Sequence, residues 1–403
     1  MLVSPFSARL RALRRDVAMV AGALVGKTPP PVVRTTLRRA APAAAPRADA
    51  PRAMRVRQVV RETADAVSLV LEDVAGRPVS FAAGQFFTLC ARLPGGQVAR
   101  RAYSASSAPL DGPGVRVTVK RVEGGVVSTA LVNAARAGDV IDVLGPSGSF
   151  TVPAAAGARR VVLVGGGSGI TPLLSIARTL LATEPATHVT LVYGNRSRDD
   201  VIFHDVLAEL AAEHAGRLVV RNVLERPPPG WTGGAGLLDG HALGRELDWP
   251  EAATSDTMHR RADGAPGADA LYFLCGPAPM MAAARAWLEA RGVPAASIRE
   301  ERFVSAHATA APSGPQTVRV RLAGATREVL VPAGRTVLES ALDARVDMPF
   351  SCTVGGCGAC RVRLVEGDLA MDEPSCLSPE ERARGYVLAC VARPRSACTL
   401  EVE

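Results

Sequence analysis

Cys352-Thr-Val-Gly-Gly-Cys357-Gly-Ala-Cys360, with Cys390 thirty residues further on, is the stretch that decides how this chain is read. The spacing C-x4-C-x2-C followed by a distant cysteine is one in which four thiolates hold a 2Fe–2S cluster. Thiolates are soft ligands that suit iron–sulfur centres. Gly355, Gly356, Gly358 and Ala359 fit a loop that must wrap a cluster, because small residues permit unusual dihedrals and close backbone approach. Free N–H groups in such a loop can point at the sulfurs and tune the potential. Zinc or disulfides are the competing readings. Structural zinc sites usually pair their cysteines as two short-spaced couples, whereas here three crowd one loop and one stands alone. The pattern favours a cluster held by Cys352, Cys357, Cys360 and Cys390.

Working outward, 403 residues exceed one ordinary core and imply several domains. The hydrophobic fraction of 48% is ample for folded domains, and no run of eighteen apolar residues suggests a spanning helix. Eight cysteines in this length do not make a disulfide framework. The four outside the cluster set, Cys90, Cys275, Cys376 and Cys398, are consistent with a reducing compartment. The net charge of +8 is unevenly placed. Residues 1–57 hold twelve Arg or Lys against two Asp, while the rest hold 35 bases and 37 acids. The basicity belongs to the N-terminal extension, so nucleic acid is not expected as a partner.

Within that extension (residues 1–51), Phe6, Leu10, Leu13, Val17, Val20 and Leu24 recur at helical spacing, with Arg9, Arg11, Arg14 and Arg15 off the stripe. Thr28-Pro-Pro-Pro31 stops the helix, and an Ala/Pro/Arg-rich linker follows. Two readings stand. Residues 1–27 rest on an anionic membrane or a partner, or they form a helix docked on the protein's own surface or a loose terminus. Arg14-Arg15 ahead of Val17–Gly26 also resembles a short twin-arginine export signal. The nicotinamide chemistry argued below needs a cytoplasmic cofactor pool, so the expected location is cytoplasmic, with the inner membrane face as the site of any contact.

Residues 52–153 carry short strands at Val56–Val60, Val67–Leu71, Gln85–Ala91, Val115–Arg121 and Val140–Leu144, separated by Gly/Pro turns. That rhythm predicts an all-β barrel or sandwich. Into it falls Arg101-Ala-Tyr103-Ser104, and some twenty residues later Gly124-Gly125-Val-Val-Ser128. Here the chain resembles the ferredoxin–NADP reductase superfamily, whose FAD domain carries an R-x-Y-S motif and a downstream G-x-x-S/T segment. The resemblance implies FAD, and it makes the domain an antiparallel β-barrel. The residue types suit it: Arg101 can fork onto a pyrophosphate, and Tyr103 offers a flat face to the isoalloxazine. Ser104 is implied to hydrogen-bond near the hydride-accepting flavin nitrogen. Gly124 and Gly125 let backbone N–H groups approach the phosphates, with Ser128 adding a donor.

Residues 157–304 open with Arg159–Val164, a continuous apolar strand of the doubly buried parallel kind. It runs into Gly165-Gly166-Gly167-Ser-Gly169-Ile-Thr171-Pro172 and then a helical pattern over Leu173–Leu181. Strand, glycine loop and helix N-terminus form an anion site, and an α/β parallel-sheet NAD(P) domain follows. GGGSGITP is not the G-x-G-x-x-G fingerprint; it resembles the superfamily's own NAD(P) loop. The next strand, His188–Tyr193, delivers Arg196, Ser197 and Arg198, good ligands for a 2′-phosphate, which favours NADPH over NADH. A later strand delivers Cys275-Gly276-Pro277-Ala-Pro-Met280, like the family's C-G-P-x-x-M motif, and the resemblance sets Cys275 beside the nicotinamide. By the same resemblance Phe303 covers the second flavin face. Residues 226–269 read as a long irregular insertion, and His259 within it has no metal-like partner spacing.

After a linker at 305–315, residues 316–403 read as a hairpin (Val318–Leu322, Arg327–Val331), a helix over Thr336–Ala344, and returning strands at Ala359–Val365 and Leu400–Val402. This order resembles the α+β, β-grasp, plant-type ferredoxin. With eleven Arg and twelve acids, the domain is not strongly charged towards a partner. The motif order FAD, NAD(P), ferredoxin resembles the reductase subunit of phenylacetyl-CoA epoxidase systems and the steroid and alkane-type oxygenase reductases. That resemblance implies an oxidoreductase passing electrons singly from NADPH through FAD and the cluster to a terminal non-haem iron oxygenase, hydroxylase or desaturase. Ser104 and Cys275 flank the reacting atoms in that reading. The competing reading is a non-catalytic electron carrier or membrane-tethered redox module without efficient NADPH oxidation. The fifty-residue extension departs from the family.

Overall fold

The computed structural model describes residues 51–92, 98–153, 157–248, 270–303, 314–350, 353, 355–356, 358–371, 377 and 379–402. The N-terminal helix, His259, most of the 305–315 linker, and Cys352, Cys357 and Cys376 lie outside the described residues.

Six antiparallel strands build the first domain: β1 (Arg52–Thr63), β2 (Ala66–Asp73), β3 (Phe86–Arg92), β4 (Val98–Ser104), β5 (Val115–Lys120) and β6 (Val140–Ser147). Their order is β4-β3-β6-β1-β2-β5, and a bridge between Ala105 and Val117 ties one edge to the other, closing the barrel. Alternate residues such as Val56, Leu69, Leu71, Leu89, Val117 and Val119 fill its interior. Two features differ from the sequence reading. Arg101-Ala-Tyr103-Ser104 lies on a strand of its own, β4, although two arginines in succession hide its alternation. Helix α1 (Val126–Ala134) follows Gly125 and presses Val127, Leu131 and Val132 into the barrel core.

The second domain is a parallel sheet in the order β10-β9-β8-β7-β11-β12. Its strands are β7 (Arg160–Gly166), β8 (His188–Asn195), β9 (Leu218–Leu224), β10 (Gly234–Ala235), β11 (Leu271–Cys275) and β12 (Ile298–Glu301). Both faces are covered, which explains the unbroken apolar runs. Leu163, Leu191 and Phe273 pack under α2 (Ile170–Thr183) and α3 (His204–Glu213). Val162, Val192, Tyr272 and Leu274 face the other way, under α4 (Gly240–Glu246) and α5 (Ala278–Glu289). The irregular insertion expected at 226–269 is corrected in its first half, which supplies edge strand β10 and α4. Asp239 caps α4 by accepting from the Ala242 N–H (2.8 Å). The Pro/Gly-rich composition concealed elements only two and seven residues long.

In the third domain, β13 (Gln316–Leu322), β14 (Ala325–Val331), β15 (Arg361–Glu366), β17 (Tyr386–Leu388) and β19 (Cys398–Glu401) form a mixed sheet ordered β14-β13-β19-β15-β17. A two-stranded sheet pairs β16 (Leu369–Met371) with β18 (Ala392–Pro394), and a short helix, α7 (Pro379–Ala383), precedes β17. The large sheet grips α6 (Val337–Asp343), which buries Val337, Leu338 and Ala341. Thr336 and Glu339 close a reciprocal capping box at its start. This is the β-grasp arrangement expected from the sequence.

Candidate functional site

Strand alternation divides the barrel motif. Arg101 and Tyr103 point to one face of β4, while Ser104 points to the other. Ser104 is buried, and its hydroxyl donates to Oε2 of Glu301 at 2.9 Å, across 197 residues of sequence. Tyr103 packs against the barrel core, and burial pushes its phenol up to about 12 against the opposing pull of Arg101. Arg101 is exposed and donates to the Arg100 carbonyl (2.8 Å). Gly124 turns the chain in the left-handed region (φ 69°) ahead of α1. Ser128 is turned inward, accepting from the Val122 N–H (3.0 Å) and donating to the Gly125 carbonyl (3.3 Å). The outward donors of this segment are therefore backbone groups.

The glycine loop interlocks with the Cys-Gly-Pro turn. Gly165 and Gly166 end β7, Gly167–Gly169 make one 3-10 turn, and α2 begins at Ile170 with Pro172 in its first turn. Any Cβ on Gly169 would lie 2.0 Å from the Cys275 carbonyl oxygen, so only glycine fits. A Cβ on Gly276 would lie 2.9 Å from the Gly166 nitrogen, and Pro277 caps α5. Thr171 donates to the Ser168 carbonyl (3.0 Å), which stiffens the loop.

Cys275 is fully buried at the end of β11 and stands in register with Glu301 on the neighbouring strand β12. Burial raises its thiol well above the ordinary range, and the Glu301 carboxylate adds to that shift. It is a neutral thiol, not a nucleophile. Burial likewise pushes Glu301 up to about 8, opposed by the Ser104 hydrogen bond. Ser104, Glu301 and Cys275 thus converge from two domains. Sequence reasoning named two of the three. Glu301 escaped because nothing local to Glu300-Glu301-Arg302 sets one acid apart from the next.

Lys120 was also missed. It ends β5 of the barrel, yet its Nζ lies 3.3 Å from the point a Cβ of Gly167 would occupy. Burial lowers its pKa, and the nearby Arg196 guanidinium lowers it further. Arg196 pairs with Asp200, and the Ser197 hydroxyl donates to the same carboxylate (2.6 Å). Arg198 is exposed. Among the described residues the buried Asn195 amide has only the neighbouring Tyr193 hydroxyl beside it, and that hydroxyl is already given to the Gly167 carbonyl (2.8 Å). Cations, free backbone groups and a buried amide around one glycine loop fit a nucleotide. Phe303 follows β12 and is 44% exposed.

In the third domain, Cys360 and Cys390 are buried and, among the described residues, in no disulfide. The Gly355 N–H donates to Cys390 Sγ at 3.2 Å. The loop passes through left-handed dihedrals at Thr353, Gly355 and Gly358, as a chain wrapping a compact centre must. A backbone donor aimed at a ligand sulfur fits a 2Fe–2S cluster.

Three family matches cover this architecture: the oxidoreductase FAD-binding domain over residues 55–152, the oxidoreductase NAD-binding domain over 163–286, and the 2Fe-2S iron-sulfur cluster binding domain over 320–395. The chain is 37% identical over 362 residues to the ferredoxin reductase component of 3-ketosteroid-9-alpha-monooxygenase from Mycolicibacterium smegmatis, covering 85% of this chain and 94% of that one. The chain belongs to the ferredoxin–NADP reductase superfamily. This reductase is also 34% identical over 350 residues to one of the subunits of 1,2-phenylacetyl-CoA epoxidase from Escherichia coli, covering 84% and 94% of the two chains. The solved structure of phthalate dioxygenase reductase superposes with a TM-score of 0.61 at 25% identity, covering 87% of the reductase and 98% of that chain. The reductase is accordingly an oxidoreductase with FAD, NAD and 2Fe–2S domains on one polypeptide.

Proposed function

We propose that the reductase serves an oxygenase system, taking hydride from NADPH and releasing electrons singly, through FAD and the cluster, to a terminal non-haem iron oxygenase, hydroxylase or desaturase. The observation that carries this reading is the Ser104–Glu301 hydrogen bond, which joins the flavin barrel to the nucleotide domain beside Cys275. The relatives, named as components of monooxygenase and epoxidase systems, supply the class of acceptor. When bound, FAD supplies the chemistry that turns a two-electron donor into single-electron output.

The chain's own residues do the rest. Tyr103 gives the ring an apolar wall, and Ser104 holds a hydroxyl at its edge. Glu301 keeps a proton at neutral pH because its pKa is about 8, and it can exchange that proton through Ser104 Oγ. Cys275 excludes water and packs the nicotinamide end without forming a bond. Cys352, Cys357, Cys360 and Cys390 would hold the cluster.

NADPH is the proposed donor because Lys120, Arg196 and Arg198 gather positive charge at the loop. The Arg196–Asp200 pair is half-exposed, and such pairs contribute about 0–1 kcal/mol, so a 2′-phosphate displaces it cheaply. Anaerobic titration tests the whole reading. Protein as purified should show flavin and cluster bands, and both should bleach with NADPH at lower concentration than with NADH. Bands unmoved by either nucleotide would leave only an electron carrier, and equal or better bleaching by NADH would remove the NADPH assignment.

Among the described residues, no helix is long and apolar enough to cross a membrane. Contact with an anionic surface through residues 1–27, at the cytoplasmic side, rests on the basic amphipathic pattern alone. Deleting residues 1–50 should move the protein from the membrane fraction to the supernatant with dye reduction by NADPH intact; unchanged fractionation refutes the contact.

A further inference from the structure

Phe86 opens β3 directly opposite Ser104 on β4, so the two side chains stand on the same face of the ladder. Its ring is almost fully buried. One edge of the ring meets the turn after β6: a Cβ on Gly148 would lie 2.9 Å from both Cδ1 and Cε1 of Phe86, and 4.0 Å from Oε1 of Glu301. The adjoining edge faces the cysteine loop, where a Cβ on Gly356 would lie in van der Waals contact, 3.9 Å from Phe86 Cε1 and 4.0 Å from Cζ. Gly356 sits between Cys357 and Gly355, the residue whose N–H reaches Cys390 Sγ. On the same face of β4, the Arg100 guanidinium carbon stands 5.8 Å from the centre of the Phe350 ring, two residues before Cys352. One aromatic side chain of the barrel therefore stands at the corner where the turn beneath the Ser104–Glu301 pair comes near the loop of Gly355 and Gly356.

We propose that Phe86 is a positioning residue for the internal electron transfer: it seats the cysteine loop on the barrel and fills the space between the flavin site and the cluster. This rests on the reductase reading above. The physical reason is that electron transfer through protein weakens steeply with distance and with empty space along the route. A close-packed ring with no hydrogen-bonding or ionisable group passes an electron and blocks a proton. One electron is lost on the flavin side and one is gained on the cluster side in each event. No bond to Phe86 forms or breaks, and the electrons originate in the NADPH hydride. Arg100 and Phe350 brace the same contact from the side. Gly148 leaves room for the ring, since a side chain there would strike it.

Stopped-flow mixing of the holoenzyme with NADPH resolves flavin bleaching from cluster bleaching in a single trace. Phe86→Ala should slow the cluster phase relative to the flavin phase by about tenfold, since ångström-scale misplacement costs up to about a hundredfold. Phe86→Leu, which retains the packing volume, should fall between, and Phe86→Tyr should restore the ratio. Hydrogen exchange supplies a readout independent of turnover: the Gly355 and Gly356 amides should lose protection in Phe86→Ala while those of β13 and β14 keep theirs. If Phe86→Ala fails to retain flavin, the Leu variant decides. An unchanged phase ratio in the variant that folds overturns the bridging role, and unchanged exchange at Gly355 and Gly356 overturns the docking role. Were wild-type protein not bleached by NADPH at all, the reductase reading would fall by itself and the exchange result would still judge the contact.

Discussion

The barrel meets its two neighbours through seams that differ in their hydrogen bonds. Against the nucleotide domain apolar packing (Phe150 edge-on to Phe273, 5.3 Å between ring centres, with Ala66 and Ala83 in the same cluster) is joined by polar bonds: Ser104 to Glu301, Ser175 Oγ to the Ser107 carbonyl (2.6 Å), Arg299 to the Thr151 carbonyl (3.0 Å) and Arg178 to Asp111 (3.1 Å). Against the cysteine loop, the described contacts are a phenylalanine ring on a glycine and a guanidinium over a phenylalanine. On the proposed function, the difference matches what would cross each seam. Hydride and proton need donors, acceptors and a carboxyl group with a tuned pKa, whereas an electron alone needs short, filled space.

The largest effect that could break this comparison lies at Glu301. Its pKa of about 8 leaves it protonated at pH 7, so wild-type flavin reduction by NADPH should decline as pH rises through about 8. Glu301→Gln should cut that rate by about a hundredfold and flatten the decline, an acid–base contribution of ordinary size. A full-speed Gln variant with an unchanged pH profile would mean that the polar seam moves no proton. The same residue sets a stability window. Because the folded value lies above the usual 4.5, its stabilising share is complete below that pH and is lost as pH climbs through about 8. Denaturation midpoints of wild type and Glu301→Gln should therefore converge in acid and separate in favour of the Gln variant towards pH 9.

A smaller effect is expected at Ser175, which is fully buried on α2 and whose hydroxyl bonds the barrel backbone. Ser175→Ala strands the Ser107 carbonyl and should cost about 1–3 kcal/mol, read as a lowered thermal midpoint, with the flavin and cluster phases in their original ratio. Should that ratio change instead, the two seams would be coupled rather than separate.

Much of this molecule was legible from local pattern. The cysteine spacing, the apolar strand running into Gly165–Gly169, and the alternation of the barrel strands each depend on residues close in sequence, so each could be read without coordinates. The elements that escaped were short or crowded. Edge strand β10 and α4 lay in Pro/Gly-rich sequence, and β4 was masked by its arginines. Ser128 was expected to add a donor to the phosphates, but the folded structure spends its hydroxyl on its own backbone.

The sequence by itself determined which chemistries the chain carries, because ligand spacing, glycine loops and strand motifs are properties of neighbouring residues. The tertiary structure alone decided where they meet. Glu301 joins Ser104 and Cys275 only through the register of β11 with β12 and the closure of the nucleotide domain on the barrel. Phe86 reaches the cysteine loop only because the third domain packs on that face. Contacts spanning hundreds of residues have no local signature, since the chain between them can take any path that its own cores permit.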